Sequence, residues 1–307
     1  MPLALKNPSL VQEQPAPRAV NPHVVHAAKT ISILPYPKMK AGFYQFAPAF
    51  GNKDGNLKKV LSAIKNADVD LLVLPEFFAT GYQFVSKDEM AELSEQIPDG
   101  YTTKLLSELS RQKGFYIVAG LPEKDGERFF NSAVLTGPDG FIGVYRKTHL
   151  FFEEKLFFIP GDTGFKVWDT EIGRIGIMIC FDWFFPESMR ALALMGADIV
   201  AHPANLVLPY CPQAMPIRCL ENKVYAITAN RTGEEKRKKG QSLRFIGQSL
   251  IASPEGKILV GASGEDEVLL IADIEPELAR NKSITSLNNI FDDRRPEMYS
   301  NITFKKL

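Results

Sequence analysis

From Met39 onwards, short apolar runs alternate with stretches whose apolar residues recur at intervals of three and four. The short runs are typical of buried strands, and the spaced residues are typical of helices that bury one face. In the first half this pattern predicts strands at residues 40–48, 71–76 and 115–120, helices around 57–64 and 102–112, and a hairpin that turns at 138–140.

The second half repeats this order of elements without close sequence identity to the first. It predicts a strand ending at Cys180, a helix at 186–195, a strand at 197–201, a helix around 214–224, a strand at 225–230, a hairpin around 254–256 and a strand at 267–273. Two sheets that each carry helices on one face can bury their free faces against each other. We therefore expect an α/β fold with four layers, an αββα sandwich.

Composition narrows the classes of partner. The 307 residues are 45% apolar and 23% charged, as in globular proteins. With 36 basic and 36 acidic residues there is no net charge to attract nucleic acid or an anionic membrane, so we expect neither partner. The three cysteines are an odd number and no secretory signal is evident, which predicts a reducing, cytoplasmic location.

The first 38 residues differ from the rest of the chain. Prolines recur from Pro2 to Pro37 and the apolar residues show no period, so we expect residues 1–38 to be a loosely ordered N-terminal extension. The predicted folded domain is residues 39–307, and its C-terminal tail begins at about residue 274.

Three polar side chains fall at the ends of predicted strands: Glu76, Lys147 and Cys180. Ligands of open α/β sheets bind at the carboxyl ends of strands, so these three are expected to share one cleft. A carboxylate base, a lysine that stabilises oxygen charge and a nucleophilic thiol together suit acyl transfer. The stretch around Cys180 alone leaves equally open that this cysteine is a small buried apolar residue.

Three segments that hold these residues resemble the signature blocks of the nitrilase (carbon–nitrogen hydrolase) superfamily. They read LPEFFATGY, YRKTHLFFEEKLFFIPGD and ICFDWFFPE, and the resemblance extends from about Met39 to the C-terminus. It implies a nitrilase-type αββα sandwich in which Glu76 is the general base, Lys147 stabilises the tetrahedral intermediate and Cys180 is the nucleophile.

The same resemblance implies further site residues. The backbone N–H of Phe181 would be the second oxyanion donor, and a second glutamate would follow the lysine motif. Glu154 fits that place by position, while the neighbouring Glu153 leaves the assignment open.

The resemblance also implies the chemistry. Family members form a thioester from amides, carbamoyl compounds or nitriles, release ammonia or an amine, and hydrolyse the thioester without a metal or organic cofactor. The block CFDWFFPE resembles small prokaryotic amidase and nitrilase-like members, so a hydrolase of small aliphatic amides is our first hypothesis. A nitrilase, an N-carbamoyl amine hydrolase and a non-catalytic binding module on the same fold are the alternatives.

Several neighbouring residues are weighed as site residues. Asn205 follows a strand end and is expected either to bind substrate or to stabilise a turn, and Phe181 and Trp183 are expected to form walls of the pocket. A Cys-His peptidase would need a histidine beside Cys180. We expect His149 and His202 to be structural instead, and the spacing of histidines and cysteines predicts no metal site.

Three further groups of residues are expected to be structural. Arg218 and Glu221 should form an ion pair on one helix, and residues 234–239 should be a solvated loop. Cys211 is expected near the entrance of the site and Cys219 in the core.

We also expect a homodimer or a higher homo-oligomer. The helix at 186–195 carries Met189, Leu192, Ala193 and Met195 with few charges, which indicates a face that favours burial. The resemblance implies that subunits pair through this layer, with apolar residues of the C-terminal tail reaching across the pair.

Overall fold

The computed structural model describes residues 38–304 of the chain, and its strands form two six-stranded sheets and one separate hairpin. The helices are α1 (Lys53–Ile64), α2 (Lys87–Leu93), α3 (Tyr101–Lys113), α4 (Pro186–Leu194) and α5 (Cys211–Asn222). The strands are β1 (Met39–Gln45), β2 (Leu71–Val73), β3 (Tyr116–Asp125), β4 (Arg128–Gly137), β5 (Gly140–Arg146), β6 (Val167–Thr170), β7 (Gly173–Ile177), β8 (Ile199–Pro203), β9 (Tyr225–Ala229), β10 (Glu234–Lys238), β11 (Gln241–Arg244), β12 (Leu250–Ala252), β13 (Ile258–Gly261) and β14 (Val268–Ile274).

Each sheet has a parallel centre and antiparallel edges. The first has the order β14-β1-β2-β3-β4-β5, in which β1, β2 and β3 are parallel. The second has the order β13-β12-β9-β8-β7-β6, in which β7, β8 and β9 are parallel. One strand departs from the predicted repeat, because β14 crosses over to pair with β1 of the first sheet.

Alternation along the strands produces the layers. In and next to β2, Leu71 and Val73 belong to the core between the two sheets, whereas Leu72 and Leu74 belong to the core beneath α1 and α3. On the other side, α4 and α5 cover the second sheet. The predicted α/β fold of four layers is confirmed, and it brings the carboxyl ends of β2 and β7 into facing sheets.

Helix ends follow local chemistry. Gly114 ends α3 with φ +75°, a conformation that glycine adopts without a Cβ penalty, and Pro186 begins α4 as expected. The side chain of Asn52 caps α1 by accepting a hydrogen bond from the N–H of Gly55.

The solvated loop predicted for residues 234–239 is wrong. Residues Glu234–Lys238 form β10 of the hairpin, and Glu235 is buried. Its carboxylate pairs with the buried guanidinium of Arg231, four residues earlier. A partner at that distance in sequence is not visible in a run of mixed charge, which is why the pattern was misleading.

The apolar face predicted on the helix at 186–195 is also corrected. Met189, Leu192 and Ala193 are buried in the core of their own chain, and Met195 is the one of the four that remains exposed. Beyond β14 the described tail contains short 3-10 turns at Pro276–Ala279, Pro296–Met298 and Ser300–Thr303, and an isolated antiparallel bridge between Ser283 and Asn289. The loosely ordered extension predicted for residues 1–38 lies outside the described residues except for Lys38.

Candidate active site

The three strand-end residues are buried in the same region of the fold. Glu76 lies three residues after β2, Lys147 directly follows β5, and Cys180 lies three residues after β7. The ammonium of Lys147 is 2.8 Å from Oε1 of Glu76, and both side chains are fully buried. The charges of both groups act on the Cys180 thiol, so the structure brings the three together.

The structure distinguishes Glu154 from its neighbour Glu153. Nζ of Lys147 lies 2.8 and 2.9 Å from the two carboxylate oxygens of Glu154, which is buried. Glu153 instead points outward and pairs with Lys238 at 2.8 Å. Glu154 is therefore the second glutamate of the cluster.

Asn131 on β4 joins the two carboxylates and was missed by sequence reasoning. Its amide Nδ2 lies 2.6 Å from Oε1 of Glu76 and 3.3 Å from Oε2 of Glu154. Its position in the mostly apolar run FFNSAVL was the available signal, because a buried amide in a strand needs polar partners.

Glycine allows the backbone that carries Glu76 to approach the neighbouring strand. A Cβ on Gly120 of β3 would lie 2.6 Å from the Cα of Glu76. That separation is far below van der Waals contact, so only glycine fits there. The close approach places the Glu76 carboxylate over the end of the first sheet.

The sequence had suggested that Cys180 ends the strand. In the structure Cys180 is instead the first residue of a single 3-10 turn (Cys180–Phe184). Its φ of +41° is rare for a residue with a Cβ, and strain of this kind is common at functional sites. Asp182 stabilises the turn by accepting a hydrogen bond from the N–H of Ile179 at 2.9 Å. The Tyr145 hydroxyl donates to the same Asp182 oxygen at 2.8 Å.

His149 and His202 both have structural partners. Nδ1 of His149 lies 2.8 Å from Oδ1 of Asp182. Nε2 of His202 lies 2.9 Å from the carbonyl oxygen of Cys180, and burial lowers the pKa of this imidazole to about 4. A neutral His202 that donates to a carbonyl supports the turn and is not a base for the thiol.

Electrostatics assign the proton positions. Burial raises the pKa of Glu76 to about 7, with Lys147 opposing the rise and Glu154 adding to it. Burial disfavours the charged form of Lys147, but Glu154 and Glu76 outweigh this and hold the pKa of its ammonium above the ordinary range. Burial, followed by the charge of Glu76, also raises the pKa of the Cys180 thiol. The thiol therefore rests protonated and needs a neighbouring base.

A small apolar pocket of ≈ 30 Å³ opens at Cys180. Phe181, Trp183 and Asn205 line it, together with Phe151, Phe184 and residues 206–208. No charged side chain is among these lining residues, so the pocket favours an uncharged group.

Asn205 contacts the segments that carry Glu76 and Cys180. Its side-chain Nδ2 donates to the backbone carbonyl of Glu76 at 2.9 Å, and its backbone N–H donates to the Cys180 sulfur. Its Oδ1 is buried without a hydrogen-bond partner. This unpaired acceptor in the pocket lining suits a substrate N–H donor.

The remaining sequence predictions have mixed outcomes. Arg218 and Glu221 form the predicted ion pair at 3.0 Å, and Cys219 lies in the core. Cys211 is fully buried at the start of α5 and does not line the pocket, so its placement at the entrance was wrong. Among residues 38–304, no group of three or more acidic, histidine or cysteine side chains is arranged to hold a metal ion. The helices in this part of the chain lack the length and apolar character that crossing a bilayer requires.

Comparisons with known proteins agree with this geometry. The profile of the carbon-nitrogen hydrolase family matches residues 40–282. A protein named nitrilase from Pyrococcus abyssi is 53% identical over 264 residues, which cover 85% of this chain and 99% of that protein. An (R)-stereoselective amidase from a Pseudomonas species is 36% identical over 262 residues, 84% of this chain and 92% of the relative.

A solved structure gives the same assignment. The crystal structure of an amidase from Nesterenkonia sp. superposes with a TM-score of 0.73 at 26% identity, covering 88% of this chain and 98% of the amidase. That amidase belongs to the nitrilase superfamily, has an active-site cysteine, and has been solved as a mutant in complex with butyramide. The chain described here is a member of the carbon-nitrogen hydrolase family and has the nitrilase-type fold.

Proposed function

We propose that this hydrolase cleaves small aliphatic amides to a carboxylic acid and ammonia through a thioester on Cys180. The observation that carries the proposal is the buried cluster of Lys147, Glu76 and Glu154 next to a thiol that opens into an apolar pocket. Burying three ionisable groups costs desolvation free energy that pairing only partly repays, and a binding module has no need of that arrangement beside a thiol.

In the first half of the reaction Glu76 is the general base. Its carboxylate takes the proton of the Cys180 thiol as sulfur attacks the amide carbon. The oxygen of the tetrahedral intermediate is stabilised by the Lys147 ammonium and by the backbone N–H of Phe181. The intermediate then expels ammonia, which takes its additional proton from Glu76 and leaves a thioester.

The second half uses the same groups with water. Glu76 accepts a proton from water as the water oxygen attacks the thioester carbon. The tetrahedral intermediate collapses to the carboxylic acid, and the proton returns to the Cys180 sulfur. A base whose pKa is about 7 can both accept and return a proton near neutral pH, which is the requirement of this cycle.

The pocket limits the acyl group. Its wall is aromatic and aliphatic, and its cavity volume of ≈ 30 Å³ is small. Short, uncharged acyl groups are therefore the expected substrates. Amides that also carry a carboxylate would bring a negative charge to a pocket wall that has no cation to pair with it.

Nitrile hydrolysis is the second candidate, favoured by the name of the Pyrococcus abyssi relative. The Cys180 sulfur would add to the nitrile carbon, one water would convert the thioimidate to the thioester with loss of ammonia, and a second water would release the acid. Hydrolysis of N-carbamoyl amines on the same residues is the third candidate.

Assembly and location are proposals as well. Leu194 and Met195 at the end of α4 and Ile217 and Leu220 on α5 are exposed apolar residues on the outer helical layer. Burial of these side chains against a second copy supports a homodimer or a larger homo-oligomer. A cytoplasmic location and turnover without a cofactor remain predictions.

The function is tested by measuring ammonia release from short aliphatic amides, ω-amides, N-carbamoyl amines and nitriles, with Cys180→Ala in parallel. The proposal expects the highest kcat/KM for a short aliphatic amide and no release by the variant. A preference for nitriles would favour the second candidate. Equal release by Cys180→Ala would overturn the thioester mechanism.

A further inference from the structure

Tyr82 contacts the reacting cluster but has no role in the mechanism above. Its hydroxyl donates to Oε1 of Glu154 at 2.7 Å. Burial, followed by the charges of Glu154 and Glu76, raises the pKa of the Tyr82 phenol well above its usual value. The phenol therefore stays protonated and acts as a hydrogen-bond donor throughout the working pH range.

The two carboxylates of the cluster have unequal sets of donors. Glu154 accepts hydrogen bonds on both oxygens, from Tyr82, Lys147, Asn131 and the backbone N–H of Phe151. Glu76 accepts only on Oε1, from Lys147 and Asn131, and its buried Oε2 has no partner. Because donors favour the ionised form of a carboxylate, a proton taken up by the pair belongs on the unpaired Oε2 of Glu76.

We propose that Tyr82 is a positioning residue that holds the Glu154 carboxylate on Lys147, so that Glu76 is the carboxylate that exchanges the proton with Cys180. This inference rests on the proposed function, because it assigns the two glutamates different roles in the same reaction. It explains why two chemically identical side chains beside one ammonium need not compete as bases.

The segment that carries Tyr82 is fixed by a buried ion pair between Glu235, on strand β10 of the hairpin, and Arg231, which precedes that strand. The Glu235 carboxylate accepts hydrogen bonds from the backbone N–H of Tyr82 at 3.1 and 3.2 Å and from that of Gln83 at 2.6 Å. Arg231 pairs with the same carboxylate, and its guanidinium lies 4.0 Å from the centre of the Phe245 ring. Because Glu235 is held by Arg231, and Arg231 packs on the Phe245 ring, the Tyr82 hydroxyl has little freedom to move away from Glu154.

The charged and titratable groups that face the two carboxylates are few. The Lys147 ammonium and the Cys180 thiol come from other segments, and the phenol of Tyr82 from its own. The pair of Glu153 and Lys238 lies at the outer side of the Glu154 turn at 2.8 Å and is internally neutralised. Removal of the Tyr82 hydroxyl therefore changes the cluster at one defined donor.

Alkylation of Cys180 by iodoacetamide measures this arrangement without requiring the physiological substrate. The sulfur attacks the methylene carbon, iodide leaves, and the thiol proton passes to the neighbouring base. The rate is followed by intact protein mass between pH 5 and 9, and Cys180→Ala identifies the adduct. The variants are Tyr82→Phe and, as a matched control, Tyr101→Phe, in which the exposed ring lies at the start of α3.

The acid limb of the wild-type rate should have its midpoint near the pKa of about 7 of Glu76. In Tyr82→Phe the state in which both carboxylates are ionised loses a hydrogen-bond donor. The pair of carboxylates therefore keeps its proton to higher pH. The midpoint should move up by about one unit, which is about a tenfold lower rate at pH 6, with rates converging at pH 9. Tyr101→Phe should match the wild type.

Two results would overturn the inference: an acid limb in Tyr82→Phe that coincides with the wild type, or a loss of rate by the same factor at every pH, as a purely structural role would give. Failure of the proposed function is a separate result. In that case the wild type would release no ammonia from any compound of the panel while its alkylation profile still reported on the two carboxylates.

Discussion

The side-chain amide of Asn205 donates a hydrogen bond to the backbone carbonyl of Glu76 at 2.9 Å and so ties the second sheet to the first. Asn205 follows β8 and Glu76 follows β2, which lie in different sheets. The bond fixes the segment that carries the proposed base, Glu76, relative to the segment that carries the proposed nucleophile, Cys180. Proton transfer depends on that distance, so the contact has a direct link to rate.

Asn205→Asp is expected to lower kcat/KM by about tenfold or more, because the carboxylate keeps the shape of the side chain but cannot donate to the Glu76 carbonyl. Asn66→Asp, at an exposed position, is the matched control and should retain wild-type activity. Steady-state kinetics on the best amide measure both. Equal kcat/KM in the two variants would show that the contact between the sheets does not position the base.

Glu76→Gln is expected to gain stability relative to the wild type as the pH rises from about 4.5 to about 7. The pKa of Glu76 is raised from 4.5 to about 7 on folding, so the folded wild type binds a proton that the unfolded chain releases across this window. Wild-type stability from this group is present below pH 4.5 and is lost as the pH rises through 7, by up to about 3 kcal/mol. Glutamine has no such proton to lose.

Urea unfolding of wild type and Glu76→Gln at several pH values measures this difference, with the exposed Glu127→Gln as control. The difference in unfolding free energy should grow with pH only for Glu76→Gln, while amide hydrolysis by that variant is lost. A constant difference across the window would mean that Glu76 is not held protonated by its surroundings.

Glu235→Ala is expected to destabilise the fold strongly, whereas the neighbouring Glu234→Ala is not. Removing one partner of a buried ion pair costs about 3–5 kcal/mol, because Arg231 would keep an uncompensated charge. Glu234 is exposed, and its pairing with Lys236 contributes little. Thermal unfolding should show a loss of several degrees for Glu235→Ala alone, and equal melting temperatures would contradict the anchoring role of β10.

The proposed dimer predicts a mass twice the 34.2 kDa of one chain by light scattering, independent of dilution. Removal of residues 284–307 tests the location of the interface. A dimer that persists would place the contacts on α4 and α5, whereas monomers would place them in the tail. A mass near 34.2 kDa for the full chain would contradict dimerisation altogether.

The sequence predicted the layers of the fold because apolar alternation is a local signal. An unbroken apolar run such as Leu71, Leu72 and Val73 indicates a strand that is buried on both faces. Gly114 ends its helix because glycine adopts a positive φ without a Cβ penalty. The run at 234–239 was misjudged because the partner of Glu235 is a single arginine outside the run. Local charge pattern does not carry information about a tertiary contact.

The candidate site divides in the same way. Glu76, Lys147 and Cys180 were found because strand ends in α/β folds converge. Asn131 and Tyr82 were missed because their meaning depends on which carboxylate oxygens they reach, and these distances exist only in three dimensions. Position in the sequence already favoured Glu154 over Glu153, and the direction in which each side chain points removes the alternative that the sequence left open.

The central claim is a thioester between the substrate acyl group and the Cys180 sulfur. Intact mass and peptide mapping of enzyme quenched during turnover of a short aliphatic amide test it most directly. The account predicts an acyl adduct on Cys180 that forms as ammonia is released, decays as acid appears, and is absent in Cys180→Ala. Turnover with an adduct on another residue, or undiminished turnover by Cys180→Ala, would contradict it.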